Sequence, residues 1–406
     1  MKDDHEQRVE EFLAGEREQI DLELSRDSIL DELYEAALVL KDRASFVKNI
    51  GIENRHEEKQ RFLESRRSGE KYEPGFRFKE FPYDEKRFIE LLEQLKDATD
   101  RIDSGTLEKY GAEEITVDEL RSLFRGVFEE FELYVKLAAN VENRDRWKEI
   151  SLEIWPMVDE ETVEKSRRAL EKGFDTRERK GGLRAEDVKE MWEEELRELG
   201  VEWSVETRKV SGCFNIPEER TVVVAEGDGE ERLYTEAEAR LLTIHEIFHV
   251  VRAYNGIKTG EEAGFPPILG MHTPFYDMTE EGGAIYREEK TGVITPAQEK
   301  DYHLRLLAAY YIYKDLDFEE ITDRLIELGA TPERAFELVA RNREILRHHI
   351  YLGGTEKWRD RDELWPLLVG KVNSEFAEVL KREVEAGGML QEPPVTAEDL
   401  FQPRSW

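Results

Sequence analysis

Apolar residues recur three and four positions apart along most of this chain, the spacing that lines one face of an α-helix. Val9, Phe12 and Leu13, followed by Leu30, Leu33, Leu38 and Leu40, predict helices within residues 5–50. The stretch 54–79 is charge-dense and poor in aliphatic residues, with Pro74-Gly75 near its end. It reads as a connector, or as an exposed helix followed by a turn. From Pro82 the helical pattern returns at Phe88, Leu91, Leu92 and Leu95, and it stops near Ser104-Gly105. It restarts at Thr116 with Leu120, Leu123, Phe124, Phe128, Phe131 and Leu133. Two more helices are expected at 160–172 and 184–199, the second ended by Gly200.

The pattern then changes. Residues 201–210 and 221–225 alternate or run in β-branched side chains, with Asn215-Ile216-Pro217 between them, which reads as a β-hairpin. Thr235-Glu236-Ala237-Glu238 has the form of a capping box and opens a helix expected to run to Asn255-Gly256. Residues 259–278 are rich in Gly and Pro and read as loop. Helices are expected at about 279–290, 296–314, 317–328, 332–347 and 373–386, and the proline-containing tail from 391 to 406 reads as irregular. The pattern therefore predicts an α+β fold, predominantly α, with a small antiparallel sheet.

Composition narrows the range of partners. Among 406 residues, Asp+Glu number 94 against Lys+Arg 60, a formal net charge of -34. Such a chain repels polyanions, which argues against nucleic acid and against anionic membrane surfaces as partners. Aliphatic residues at helical spacing and 10% aromatics argue against disorder. Cys213 is the one cysteine, so neither an intramolecular disulfide nor a multi-cysteine zinc site can form. The first residues show no basic-then-apolar signal pattern, and the longest apolar stretches, 241–244 and 306–313, fall short of a membrane span. A cytoplasmic location is expected.

Chemistry concentrates at His245-Glu246-Ile247-Phe248-His249. Residues four apart on a helix share a face, so both imidazoles can reach one metal ion. Glu246, one step round, can face a water molecule as general base, the arrangement of a zinc hydrolase. Leu241, Leu242, Ile244, Phe248, Val250 and Val251 surround the pair. Two imidazoles in so apolar a helix need partners, and a metal supplies them.

A third protein ligand is required, and no further His follows at the metzincin spacing. A carboxylate from a following helix is the common alternative. Glu281, within Thr279-Glu280-Glu281-Gly282-Gly283-Ala284, is the leading candidate, with Glu280, Asp277 and His272 as the others. Thr279 could cap that helix, and Gly282, Gly283 and Ala284 would let it approach the motif helix closely.

These two runs, 245–256 (HEIFHVVRAYNG) and 279–284 (TEEGGA), resemble the tyrosine carboxypeptidase-like metalloproteins. That family includes the flavohaemoglobin-expression-modulating QEGLA-motif proteins of bacteria and the microtubule-associated tyrosine carboxypeptidases of animals. Glu280–Ala284 aligns with QEGLA, with Glu for Gln and Gly for Leu, and 142–156 is weakly similar to the family's Arg-Gly-Thr region without its Gly and Thr. The resemblance spans about residues 80 to 370. It implies that His245, His249 and Glu281 hold Zn2+, that Glu246 is the catalytic base, and that the protein is a carboxypeptidase-like metallopeptidase acting on a peptide or protein. It also implies a zincin-like core of the gluzincin type over residues 81–406, preceded by a helical N-terminal region, 1–80. The family pattern carries three residues between the Glu and the second His, whereas this chain carries two, Ile247 and Phe248. The shorter spacing keeps the regular i,i+4 face, but the family's substrate preference is not carried over with it.

Other roles stay open at this level. A donor opposite the metal could come from Tyr276, Tyr286, His303, His348, His349 or Tyr351, and a cation for a substrate carboxylate from Arg208, Lys209 or Arg252. The strand at 221–225 could offer an edge to an extended peptide. Two other functions compete: a scaffold that keeps a metal site with little catalysis, and a hydrolase of a non-peptide amide. With a charge of -34, an acidic tubulin-like tail is a poor substrate expectation.

Overall fold

The computed structural model describes residues 2–16, 24–25, 28–176, 181–229 and 231–402. Among the described residues the fold is α+β and dominated by helices, with one three-stranded sheet. No described helix is long and apolar enough to cross a membrane. The chain forms two units that interleave in sequence. One comprises Met1–Asp103, Leu120–Phe174 and Lys300–Ile350, and the other Ser104–Glu119, Asp175–Glu299 and Tyr351–Trp406.

In the second unit the sheet has the order β1-β3-β2, with β1 Ser204–Arg208, β2 Phe214–Ile216 and β3 Thr221–Ala225. β1 pairs parallel to β3, whereas β2 pairs antiparallel to it. The sheet is therefore mixed, and the antiparallel hairpin expected from 201–225 does not form. β3 is buried along its whole length, as a continuous Thr-Val-Val-Val-Ala run requires, so it takes the centre and its neighbours in sequence flank it. With both edges of β3 occupied, the outer edges of the sheet belong to β1 and to the short β2.

Helix Glu236–Lys258 packs beneath this sheet and is buried through Ala239, Ile244, Ile247, Phe248, Val250 and Val251. It runs past Gly256, which does not end it. A β-carbon at Gly256 would lie 2.4 Å from the backbone of Leu269, so the glycine is needed for a close crossing. Residues 259–278 are largely loop around the short helix Ile268–Met271. Gly353 and Gly354 lie inside helix Ile350–Arg359. Ser104 likewise starts a helix, Ser104–Tyr110, where the pattern suggested a break.

The first unit is built on aromatic and ionic contacts. Phe46 stands edge-on to Tyr134 and Trp155, with centroids 4.9 and 5.2 Å away. The charge-dense stretch after residue 54 forms helix Arg55–Ser68, docked by Phe62 against Phe318 and Phe336. The buried carboxylate of Glu58 anchors the chain that follows, accepting hydrogen bonds from Tyr72 at 2.5 Å and from the Gly75 amide at 2.9 Å. One charged side chain thus organises a segment too poor in apolar residues to order itself.

His349 is fully buried in this unit. Its Nε2 donates to the carbonyls of Trp155 and Pro156, both at 3.1 Å, while Nδ1 has no hydrogen-bond partner among the described residues. Burial holds its pKa down at about 4, and burial beside several arginines holds that of His348 well below the usual value. Protonating Nδ1 would place a charge where nothing accepts its proton. Below the ordinary histidine pKa of about 6.5 the unfolded chain therefore binds a proton that the folded chain refuses, and folding stability falls as the pH drops. Between pH of about 6.5 and 4, His349 should contribute a loss of about 1.4 kcal/mol per pH unit. His349→Gln, which keeps a donor for the carbonyls, should flatten the pH dependence by that amount in chemical denaturation. Parallel curves for the two proteins would contradict this account.

Candidate metal centre

Thr235 caps the motif helix, its Oγ1 accepting from the Glu238 amide at 3.1 Å. The reciprocal half of the capping box is not made, because the Glu238 carboxylate turns to Arg232 at 2.8 Å. Nine residues into the helix, His245 and His249 project together, with ring centroids 4.9 Å apart. Helix Asp277–Thr291 lies alongside. Thr279 does not cap it: the residue sits within the first turn, buried, with its Oγ1 unpartnered among the described residues and its carbonyl accepting from Trp358 Nε1 at 2.8 Å.

The glycines of that helix divide their work. A β-carbon on Gly283 would come within 2.4 Å of Phe248 on the motif helix, so this position admits the close approach expected of it. Gly282 faces elsewhere, and its β-carbon would meet the backbone of Gly354 at 2.0 Å. The result brings Glu281 to the two imidazoles. Its Oε2 lies 3.6 Å from His245 Nε2 and 3.9 Å from His249 Nε2, and the three ligand atoms all fall within 4.8 Å of one another. Asp277, His272 and Glu280, the other candidates, are not part of this cluster.

Two further carboxylates, which the sequence reading did not single out for this purpose, orient the rings. Glu288 Oε1 lies 2.7 Å from His245 Nδ1, and Glu280 Oε1 lies 2.9 Å from His249 Nδ1. Each imidazole that donates through Nδ1 presents its Nε2 lone pair to the cluster. Glu281 and Glu288 are seven residues apart, two helical turns on one face, a spacing that was available in the sequence. Glu280 is buried and also takes Arg252 and Lys371, the latter at 3.2 Å. Burial opposes its ionisation, but Lys371 and Arg252 prevail and hold its pKa far below the carboxylate range. Burial also opposes a charge on His245, yet the Glu281 and Glu288 carboxylates keep its pKa well above the usual value.

The donor set fits zinc. Two ligand atoms held at about 2.0–2.2 Å by a tetrahedral ion lie about 3.3–3.6 Å apart, close to the separations seen between the Nε2 atoms and Glu281. Glu246 is half-buried beside the pair. Its charge acts on His245 and also on Cys213, whose thiol is pushed up to about 11 chiefly by burial and then by Glu246. On β2, one of the two outer strands, Asn215 Nδ2 reaches the His249 carbonyl at 3.4 Å, which ties that strand to the motif helix.

Several of the remaining candidates have other partners. Arg252 donates to Glu280 and to the carbonyls of Leu367 and Val372, and it is buried, so it is committed to the fold. Arg208 pairs with Glu206 and Glu219. Tyr286 stacks on Trp358, and Tyr276 lies edge-on to His272. His303, His348 and His349 belong to the first unit.

A helix-borne pair of histidines completed by a carboxylate from a following helix is a donor set shared by metallohydrolases. This chain belongs to the microtubule-associated tyrosine carboxypeptidase family, whose profile matches residues 60–405. No curated protein matches it.

The roles of the ring-orienting carboxylates are separable by titration with zinc. Glu288→Gln should lower zinc affinity about 10–100-fold, read by competition with a chromophoric chelator. Glu280→Gln should in addition destabilise the protein by about 3–5 kcal/mol, because Arg252 is left buried beside a neutral amide. Unchanged zinc affinity in Glu288→Gln would remove it from the ligand-orienting role.

Proposed function

We propose that this protein is a zinc-dependent, carboxypeptidase-like metallopeptidase, and that its second unit is a zincin-like core. The observation that carries this reading is the convergence of His245 Nε2, His249 Nε2 and a Glu281 oxygen within 4.8 Å, on two helices of one unit. Family membership supports the class of reaction, a hydrolysis at the carboxyl end of a peptide or protein.

His245, His249 and Glu281 would hold the ion, and Glu288 and Glu280 would fix the tautomers of the two rings. Zinc, when bound, supplies Lewis acidity towards water and a substrate carbonyl. Glu246 accepts the proton of the attacking water and returns it to the amine that leaves, a transfer worth about 10²–10⁴-fold in rate. The free edge of β2 offers backbone groups to an extended peptide next to the motif helix. The charge of -34 favours neutral or basic peptides over acidic tails at low salt.

The test is Glu246→Gln beside the wild type on peptides with free or amidated C-termini. The wild type should bind zinc stoichiometrically and shorten free C-termini, while the variant keeps the zinc and loses about 10²–10⁴ in kcat. Equal cleavage by both proteins, or no cleavage by zinc-loaded wild type, would overturn the assignment.

A further inference from the structure

The first unit contains a half-open cavity of about 240 Å³ whose lining combines three kinds of chemistry. One wall is aromatic: Phe76, Phe78 and Trp147. These rings are held in place. Trp147 Nε1 donates to the Glu344 carbonyl at 3.0 Å, Phe76 stands edge-on to Phe318 and Phe336, and a backbone bridge pairs Phe78 with Ile52. Two cations, Arg343 and Arg144, and two exposed acids, Glu73 and Glu142, complete the lining that matters here.

Arg343 is the unusual member. In a chain with 94 acidic side chains, it makes no hydrogen bond or ion pair among the described residues. Burial first, and then the nearby charge of Arg144, pull its pKa down to about 10, while Glu73 and Asp315 act on it only at a distance. Arg144 is itself loosely held, 3.4 Å from the Leu316 carbonyl and 3.9 Å from Asp315. A partly desolvated guanidinium without a counter-ion, beside a second one, is a place where an anion is stabilised.

The rest of the lining restricts that anion. Glu73 and Glu142 would repel a phosphate, which carries more than one negative charge near neutral pH. They suit a ligand that brings its own ammonium group. The aromatic wall suits an apolar side chain, and the volume is that of a molecule of roughly a dozen heavy atoms. We propose that this cavity binds a free α-amino acid with an aromatic or large aliphatic side chain, its carboxylate on Arg343, its ammonium towards Glu73 and Glu142, and its side chain against Phe76, Phe78 and Trp147. The site lies wholly within the first unit and does not depend on the metal-centre reading.

The test is calorimetric titration of the full-length protein with L-phenylalanine. Saturable binding is expected in the wild type, weakened about tenfold or more in Arg343→Gln, the loss expected when one hydrogen-bonded charge partner is removed. Phenethylamine, which lacks the carboxylate, and N-acetyl-L-phenylalanine, which lacks the ammonium, should each bind the wild type about tenfold more weakly. Arg343 makes no hydrogen bond or ion pair among the described residues, so Arg343→Gln should melt no lower than the wild type. No saturation at millimolar L-phenylalanine, or equal affinity in Arg343→Gln, would overturn the site. N-acetyl-L-phenylalanine binding as tightly as the parent would overturn the zwitterion assignment.

Discussion

The second unit depends on one buried ion group, the Glu280 carboxylate with Arg252 and Lys371. Arg252 rises from the motif helix one turn beyond His249, and Glu280 opens the helix that carries Glu281. The same guanidinium donates to the carbonyls of Leu367 and Val372, so three segments are fixed by one side chain. Removing such charges from water costs several kcal/mol per ion, and this is repaid only when every donor and acceptor is matched. Here the matching extends to His249, whose Nδ1 meets the same carboxylate. The position of one imidazole is therefore tied to the packing of the whole unit, and the adjacent Glu281 inherits its place from it. A neighbouring pair works similarly: Arg287, on the Glu281 helix, donates to Glu195 and to the Ile244 carbonyl, one residue before His245.

That ion group can form only because the backbones around it come unusually close. Gly282 and Gly354 bring two helices together, with no room for a β-carbon on either side. Gly256 and Gly270 allow the motif helix to cross the segment that follows it, and Gly370 joins the same crossing at the Leu269 carbonyl. Lys371 is the residue after Gly370, so the crossing also delivers the second cation to Glu280. Dense packing and charge pairing are one constraint here. Loosening a glycine contact would lengthen hydrogen bonds whose groups have no access to water.

Local signals were legible in the sequence, and long-range ones were not. The His245–His249 spacing and the helical periodicity depend on residues within a few positions of one another, and the structure brings the two rings and Glu281 together accordingly. Gly256 misled because a glycine that ends a helix and one that lets another backbone pass look the same locally. Only the partner distinguishes them, and for Gly256 it is Leu269, 13 residues away. The strand order has the same origin: a continuous apolar run marked β3 as buried, but nothing near it shows that β1 lies parallel beside it. The charge-dense segment around Glu58 reads as a connector or an exposed helix, and nothing near Glu383 marks it as buried. Yet Glu383 is buried and accepts from the amides of Glu114, Ile115 and Met389 at 2.7, 2.8 and 2.7 Å, a role visible only once those loops are in place.

The two-residue spacer between Glu246 and His249 has a geometric consequence for the motif helix. An α-helix advances about 100° per residue, so histidines four apart differ by about 40° and those five apart by about 140°. A three-residue spacer therefore needs a local bulge, of the π type, to turn both rings to one ion. This chain needs none, since helix Glu236–Lys258 carries both rings on one face without interruption. A bulge that realigns the second ring also returns the turns after it to the same phase, so Arg252 and the close crossing at Gly256 stand in the same relation to His249 with or without it. The donor atoms can still converge, because they lie on the shared face. The difference is confined to the turn between Glu246 and His249, where this chain places only Ile247 and Phe248, both buried in the unit.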